Sequence, residues 1–175
     1  RGPISFDNDG NLSKNIREAY SKYGFYIFEG ALSDEEVEDI KSDIKQLRSK
    51  FPTGPESNVN SDGEPAMNAY SKSLTLVWSK PLCDPLGGTE LANGRHQIKM
   101  FEPEAKEDAP MAVPLILLGS LQFSDACLRT YANPNILRVA ESINGKDFAP
   151  FNEALFIKEP GIGAAVSWHQ DGVTH

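Results

Sequence analysis

Between residues 12 and 23 the apolar positions Ile16, Ala19, Tyr20 and Tyr23 recur at the spacing of one helical face, with Ser13 as a cap and Gly24 as the stop. Phe25-Tyr26-Ile27-Phe28 then concentrates aromatic and β-branched residues, which predicts a buried strand. Ser33 and Glu36 have the spacing of a capping box. Val37, Ile40, Ile44, Leu47 and Phe51 follow at intervals of three and four until Pro52, predicting a long amphipathic helix. Residues 52–65 break the pattern: Gly, Pro, Asn and Ser dominate, with almost no apolar surface. This stretch, and the similar one at 83–94, predicts a mobile surface loop of the kind that gates substrate entrances.

In the second half, Asn133 caps a helix with Pro134 at its first position. Ile136, Leu137, Ala140 and Ile143 form its apolar face and Asn144-Gly145 its end. Residues 154–158 read as a strand, Pro160-Gly161 through Gly163 as a turn, and 164–168 as a second strand. Helices thus come first and strands last, an α+β order, and there are no internal repeats.

At 175 residues, 39% hydrophobic and 24% charged, the chain fits a single domain, 1–175, with enough apolar residues to bury a core. The net charge of −8 and the scatter of Lys and Arg oppose phosphate-backbone binding and exclude nucleic acid as a partner. No apolar run reaches the roughly 20 residues of a membrane span and no leader precedes a cleavage site, so a soluble, cytoplasmic protein is expected. Cys83 and Cys127 lack CxxC spacing and read as buried free thiols. The chain starts without methionine and finishes inside a polar, motif-like stretch, so it is expected to be part of a longer polypeptide.

That final stretch, VSWHQDGVTH, carries the candidate chemistry. In an extended segment His169 and Asp171 share one face, while Trp168 and Gln170 share the other, where Trp168 is expected to pack against the helices. Imidazole with carboxylate suits iron, and two histidines with one carboxylate mark the non-haem Fe(II) oxygenases. A His-x-Asp pair is short enough to arise by chance, in which case it is a surface turn. Gly161-Ile162-Gly163-Ala164-Ala165 imitates the start of a dinucleotide fingerprint, but the residues after it have no helical periodicity. Ser167 is not in a GxSxG elbow, and His96, in an alternating stretch, reads as a strand-surface residue.

Two segments carry a resemblance. YGFYIFEGALSDEEVEDI (23–40) and FNEALFIKEPGIGAAVSWHQDG (151–172) resemble the opening and the metal-binding segment of the phytanoyl-CoA dioxygenase family, although the family's Lys-Pro-Gly is here Lys158-Glu159-Pro160-Gly161. The resemblance spans essentially the whole chain. It implies a double-stranded β-helix, or jelly roll, with N-terminal helices packed on it, and a dioxygenase using Fe(II), 2-oxoglutarate and O₂. Such enzymes decarboxylate 2-oxoglutarate to succinate and CO₂, and the resulting ferryl species abstracts hydrogen from a small organic substrate before hydroxylation. An acyl-CoA or a secondary metabolite fits that class. His169 and Asp171 match the proximal histidine and the carboxylate ligand.

Related halogenating enzymes lack that carboxylate, so Asp171 favours hydroxylation. The distal histidine and the cation for 2-oxoglutarate are expected on strands beyond the chain end, since His175 lies too close to Asp171 in sequence. Phe156 and Lys158 share a strand face by alternation and are candidates to border the 2-oxoglutarate site; the plainer alternative is a core phenylalanine and a solvated lysine. A reading from another class is a non-catalytic jelly-roll binding module that keeps His-x-Asp by descent. Oligomeric state is open.

Overall fold

Local signals decide where the helices form. In the computed structural model, which describes residues 1–67, 75–83, 104–150 and 153–166, helix α1 (Lys14–Tyr23) starts after Ser13 and stops at Gly24. Gly24 takes φ +79° and donates its amide to Tyr20 O at 2.8 Å, the left-handed cap that glycine adopts without a Cβ penalty. The expected helix face is narrower than its sequence pattern: Ile16 is buried, whereas Tyr23 is 61% exposed. Helix α2 (Asp34–Ser49) begins with the expected box, in which Ser33 N donates to Glu36 Oε2 (2.7 Å) and Glu36 N to Ser33 Oγ (3.1 Å). Its stripe turns inward, with Leu47 fully buried and Val37, Ile40 and Ile44 half-buried.

The described residues divide into two units, Arg1–Arg48 with Leu121–Asn152, and Ser49–Ser120 with Glu153–His175. In the first unit, β1 (Gly2–Pro3) pairs in parallel with β2 (Phe28–Glu29). The buried strand expected at Phe25-Tyr26-Ile27-Phe28 is corrected: pairing covers only β2, and Phe25 and Ile27 are 63% and 55% exposed.

Helix α3 (Asp125–Tyr131) is capped by Ser124, and α4 (Pro134–Asn144) by Asn133, whose side chain accepts from the amides of Asn135 and Ile136. The apolar face of α4 is not a core face. Ile136, Leu137 and Ala140 line an open cavity of about 740 Å³ with Tyr131 and Phe148, and Ile143 is 42% exposed. Leu12 N donates to Ser142 Oγ (3.1 Å), and the Arg138 guanidinium stacks 4.6 Å from the Phe6 ring centroid, tying the N-terminal segment to α4.

The second unit contains β3 (Thr75–Ser79), β4 (Val113–Leu118) and β5 (Ala154–Phe156), antiparallel in the order β3-β4-β5. Trp78 pairs with Pro114 and Val77 with Ile116, so Leu115 is an extra residue in β4 and Pro114 sits at the irregularity, where its missing N–H is tolerated. Val113, Leu115, Ile116 and Ala164 form the core, with Val77, Leu118, Ala154, Ile162 and Val166 packed on it. Among the described residues this is a mixed helix-and-strand fold with small sheets, and their strands do not close into a double-stranded β-helix.

The loop at 52–65, expected to offer almost no apolar surface to anchor it, is fastened by polar groups. Asn60, 7% exposed, accepts from Asp62 N (3.0 Å) and Glu64 N (2.9 Å) through Oδ1 and donates through Nδ2 to Ser49 O (3.1 Å). Loop 83–94 lies outside the described residues, apart from Cys83. No described helix is long and apolar enough to cross a membrane.

Helices α2 and α3 are joined by a carboxylate. Asp43 Oδ2 accepts from Ala126 N (3.0 Å) and from Ser124 Oγ (2.9 Å), while Ser124 Oγ accepts from Cys127 N (3.0 Å). The Ala126 amide first, and the Ser124 hydroxyl second, hold the Asp43 carboxyl below its ordinary value against partial desolvation, with a further contribution from Arg129. A carboxyl whose folded-state pKa is lowered stabilises the fold above the unfolded value, near 4, and that contribution disappears as pH falls through the folded value. Asp43→Asn should therefore lower the melting temperature at pH 7, with the gap to the parent protein closing on titration from pH 5 to pH 2. Ser124→Ala should cost about 1 kcal/mol in denaturant unfolding through loss of the cap.

Candidate functional site

Strand β5 meets the central strand through the pairs Ile116 with Phe156, Leu117 with Leu155, and Leu118 with Ala154. Alternation continues past its end. Ile157 is buried and donates its amide to Leu115 O at 2.8 Å, whereas Phe156 is 60% exposed and Lys158 is exposed. Phe156 and Lys158 thus share one face, as the period predicts. The plainer alternative fails for Phe156, which is not a core residue; Lys158 is exposed as that alternative has it, and its ammonium also donates to Ala164 O.

The chain then reverses at the predicted turn. Gly161 takes φ +77°, and the amides of Ile162 (3.3 Å) and Gly163 (2.7 Å) both reach Glu159 O. A Cβ on Gly163 would lie 2.8 Å from the backbone N and O of Glu159, so only glycine fits there. No helix follows through Val166, which removes the dinucleotide reading for the described part of that motif. The second strand expected over 164–168 is corrected as far as it can be followed: Ala164 to Val166 are in no strand, and their fastening is to a turn.

No local sequence pattern predicts that turn. Cys83 N donates to Lys80 O (3.2 Å) with Pro81 leading, and Leu82 takes φ +63°, a value that turns of this kind normally assign to glycine. Leu82 N donates to Ile162 O (3.1 Å) and Ala165 N to Cys83 O (2.8 Å), bracing the segment that precedes the His-x-Asp motif. The visible signal was Pro81 directly after an apolar, β-branched run; nothing local marks Leu82 for a left-handed backbone.

Trp168, His169, Asp171, His175 and His96 lie outside the described residues. The structure therefore brings Phe156 and Lys158 together on one face and shows the approach to the metal motif up to Val166. Among the described residues, no three His, Cys, Asp or Glu side chains gather where a metal ion could be held.

A family profile described as phytanoyl-CoA dioxygenase (PhyH) matches residues 20–175, a span that includes α2, all of the three-stranded sheet and the His169-x-Asp171 pair. No curated protein and no solved structure matches the chain.

The crowding at Gly163 has a direct consequence. Gly163→Ala forces either the Glu159 peptide or the new methyl to move, a cost of about 1–3 kcal/mol by the measure of other overpacked sites. Gly54→Ala, at a glycine with open space around it, should stay within about 0.5 kcal/mol. Chemical denaturation of the two variants side by side checks this.

Proposed function

Since the chain belongs to the phytanoyl-CoA dioxygenase family, a family of Fe(II)/2-oxoglutarate-dependent oxygenases, we propose that it hydroxylates a small organic substrate, an acyl-CoA or a secondary metabolite, with His169 and Asp171 as iron ligands. The observation that carries this reading is the extent of the family match, which runs through both fingerprint segments and through the His-x-Asp pair.

The donor set fits Fe(II). A neutral imidazole and a single carboxylate are the ligand types that iron takes in these sites, and they leave positions for co-substrate and O₂. When bound, the metal supplies O₂ activation coupled to conversion of 2-oxoglutarate to succinate and CO₂. The chain's own residues do the rest. His169 binds through a nitrogen that must be unprotonated, and Asp171 contributes one negative charge that offsets part of the metal's. Retention of Asp171 favours hydroxylation over halogenation. Phe156, on the open face of β5, would present an apolar surface to the co-substrate. The turn at 159–163 and the braced segment up to Val166 precede His169 and Asp171 in sequence.

In the full-length protein, anaerobic titration with Fe(II) and 2-oxoglutarate should give a weak visible charge-transfer band, and aerobic turnover should release succinate. His169→Ala and Asp171→Ala should each abolish the band, reduce succinate to background and weaken iron binding by more than the ~10–100-fold that follows loss of an outer-shell partner. The fold should survive both changes. Absence of the band in the parent protein would favour a non-catalytic binding module, and variants that keep iron and turnover would remove both residues from the site.

A further inference from the structure

Ala164 has no exposed surface, and a buried carbonyl left unpaired is costly. Among the described residues the donor that reaches its oxygen is the ammonium of Lys158, folded back across the 159–163 turn. A lysine on an exposed strand face ordinarily extends into water, where its rotamers are free. Bending it onto one carbonyl gives up that freedom, so the contact must offset an entropic cost.

The contact also closes a set. Gly163 N is held by Glu159 O, Ile162 O by Leu82 N, and Ala165 N by Cys83 O. Ile162 and Val166 pack onto the sheet core. Lys158 adds a side-chain hydrogen bond to this set, and it spans the turn from one arm to the other. His169 and Asp171 lie three and five residues after Val166 in sequence.

We propose that Lys158 is a positioning residue for the iron site: by clasping the Ala164 carbonyl it fixes the backbone from which His169 and Asp171 are presented. This rests on the iron reading above. Ligands on a fixed backbone bind metal without first paying to be ordered, which is how groups outside the ligand shell raise affinity. The role is distinct from contact with 2-oxoglutarate, which would act on co-substrate affinity and leave the metal alone.

Lys158→Met keeps the aliphatic stem and removes every donor, while Lys158→Arg keeps donors at the end of a similar stem. In metal-free protein, amide hydrogen exchange at Gly163 and Ala165 should be about tenfold faster in Lys158→Met and near the parent rate in Lys158→Arg. The Fe(II) dissociation constant should rise ~10–100-fold in Lys158→Met and recover in Lys158→Arg, with the half-saturating 2-oxoglutarate concentration at saturating iron unchanged. Leu117→Ala is the control, since Leu117 is buried in the same sheet and takes no part in the hydrogen bonds named above. Unchanged exchange and iron affinity in Lys158→Met would overturn the proposal. So would a rise in half-saturating 2-oxoglutarate with iron affinity unchanged, which assigns Lys158 to the co-substrate. An equal loss of iron affinity per degree of melting temperature in Leu117→Ala and Lys158→Met would reduce the clasp to general stability and overturn it too. If the parent protein binds no Fe(II), the iron reading fails and takes the positioning role with it, while the exchange data still report whether the clasp exists.

Discussion

Strand β4 is apolar across its width, and its peptide groups have no water to turn to. Val113, Leu115, Ile116 and Leu117 are all buried, so every carbonyl and amide between them needs a protein partner. Strands β3 and β5 supply those partners from either side, and Ile157 reaches Leu115 at the irregularity beside Pro114. The turn that follows Ile157 inherits its starting point from that last bond. The position of Lys158, the reversal at Gly161 and the braced approach to the candidate ligands are all set by how β4 satisfies its backbone.

Elsewhere the fastening is polar. Asp43 links α2 to α3 by accepting from the start of the second helix, Asn60 holds its loop through three hydrogen bonds, and Ser33 and Glu36 cap α2 reciprocally. In a chain with net charge −8, carboxylates that accept from backbone amides stabilise in two ways: they satisfy donors, and they place negative charge against the positive ends of helices. The exposed ion pairs, such as Arg1 with Glu29 and Lys14 with Glu18, contribute little beside these.

The helices were legible because their determinants are local. Ser33 with Glu36, Asn133 with Pro134, and Gly24 each fix a boundary within a few residues of themselves. Strands β3 and β4 were not read, because Val113 to Leu118 is a continuous apolar run interrupted by a proline. Such a run has no period, and only pairing with distant segments makes it a strand. Phe25 and Ile27 show the converse: their composition suits a strand, but composition does not supply a pairing partner, and the ladder covers Phe28 and Glu29 alone among these residues. At the candidate site, the turn and the shared face of Phe156 and Lys158 followed from glycine placement and alternation. Leu82 and the Lys158 contact depend on long-range geometry that no local pattern encodes. The His-x-Asp pair was found by its motif and its family context, and the described residues reach only to its threshold.

The order of the sheet, β3-β4-β5, separates β4 from β5 in the chain by helices α3 and α4. A ribosome therefore releases the apolar strand Val113–Leu118 well before the residues that cover its second edge. During that interval β4 is half of a sheet with an open, uncharged, strongly apolar side, the kind of edge that recruits other nascent chains. The helices α3 and α4 fold from nearby residues and do so quickly, which shortens the search of β5 for its partner. Yield in a heterologous host should thus depend on translation speed across residues 119–153 and on chaperone capacity more than on the stability of the finished protein.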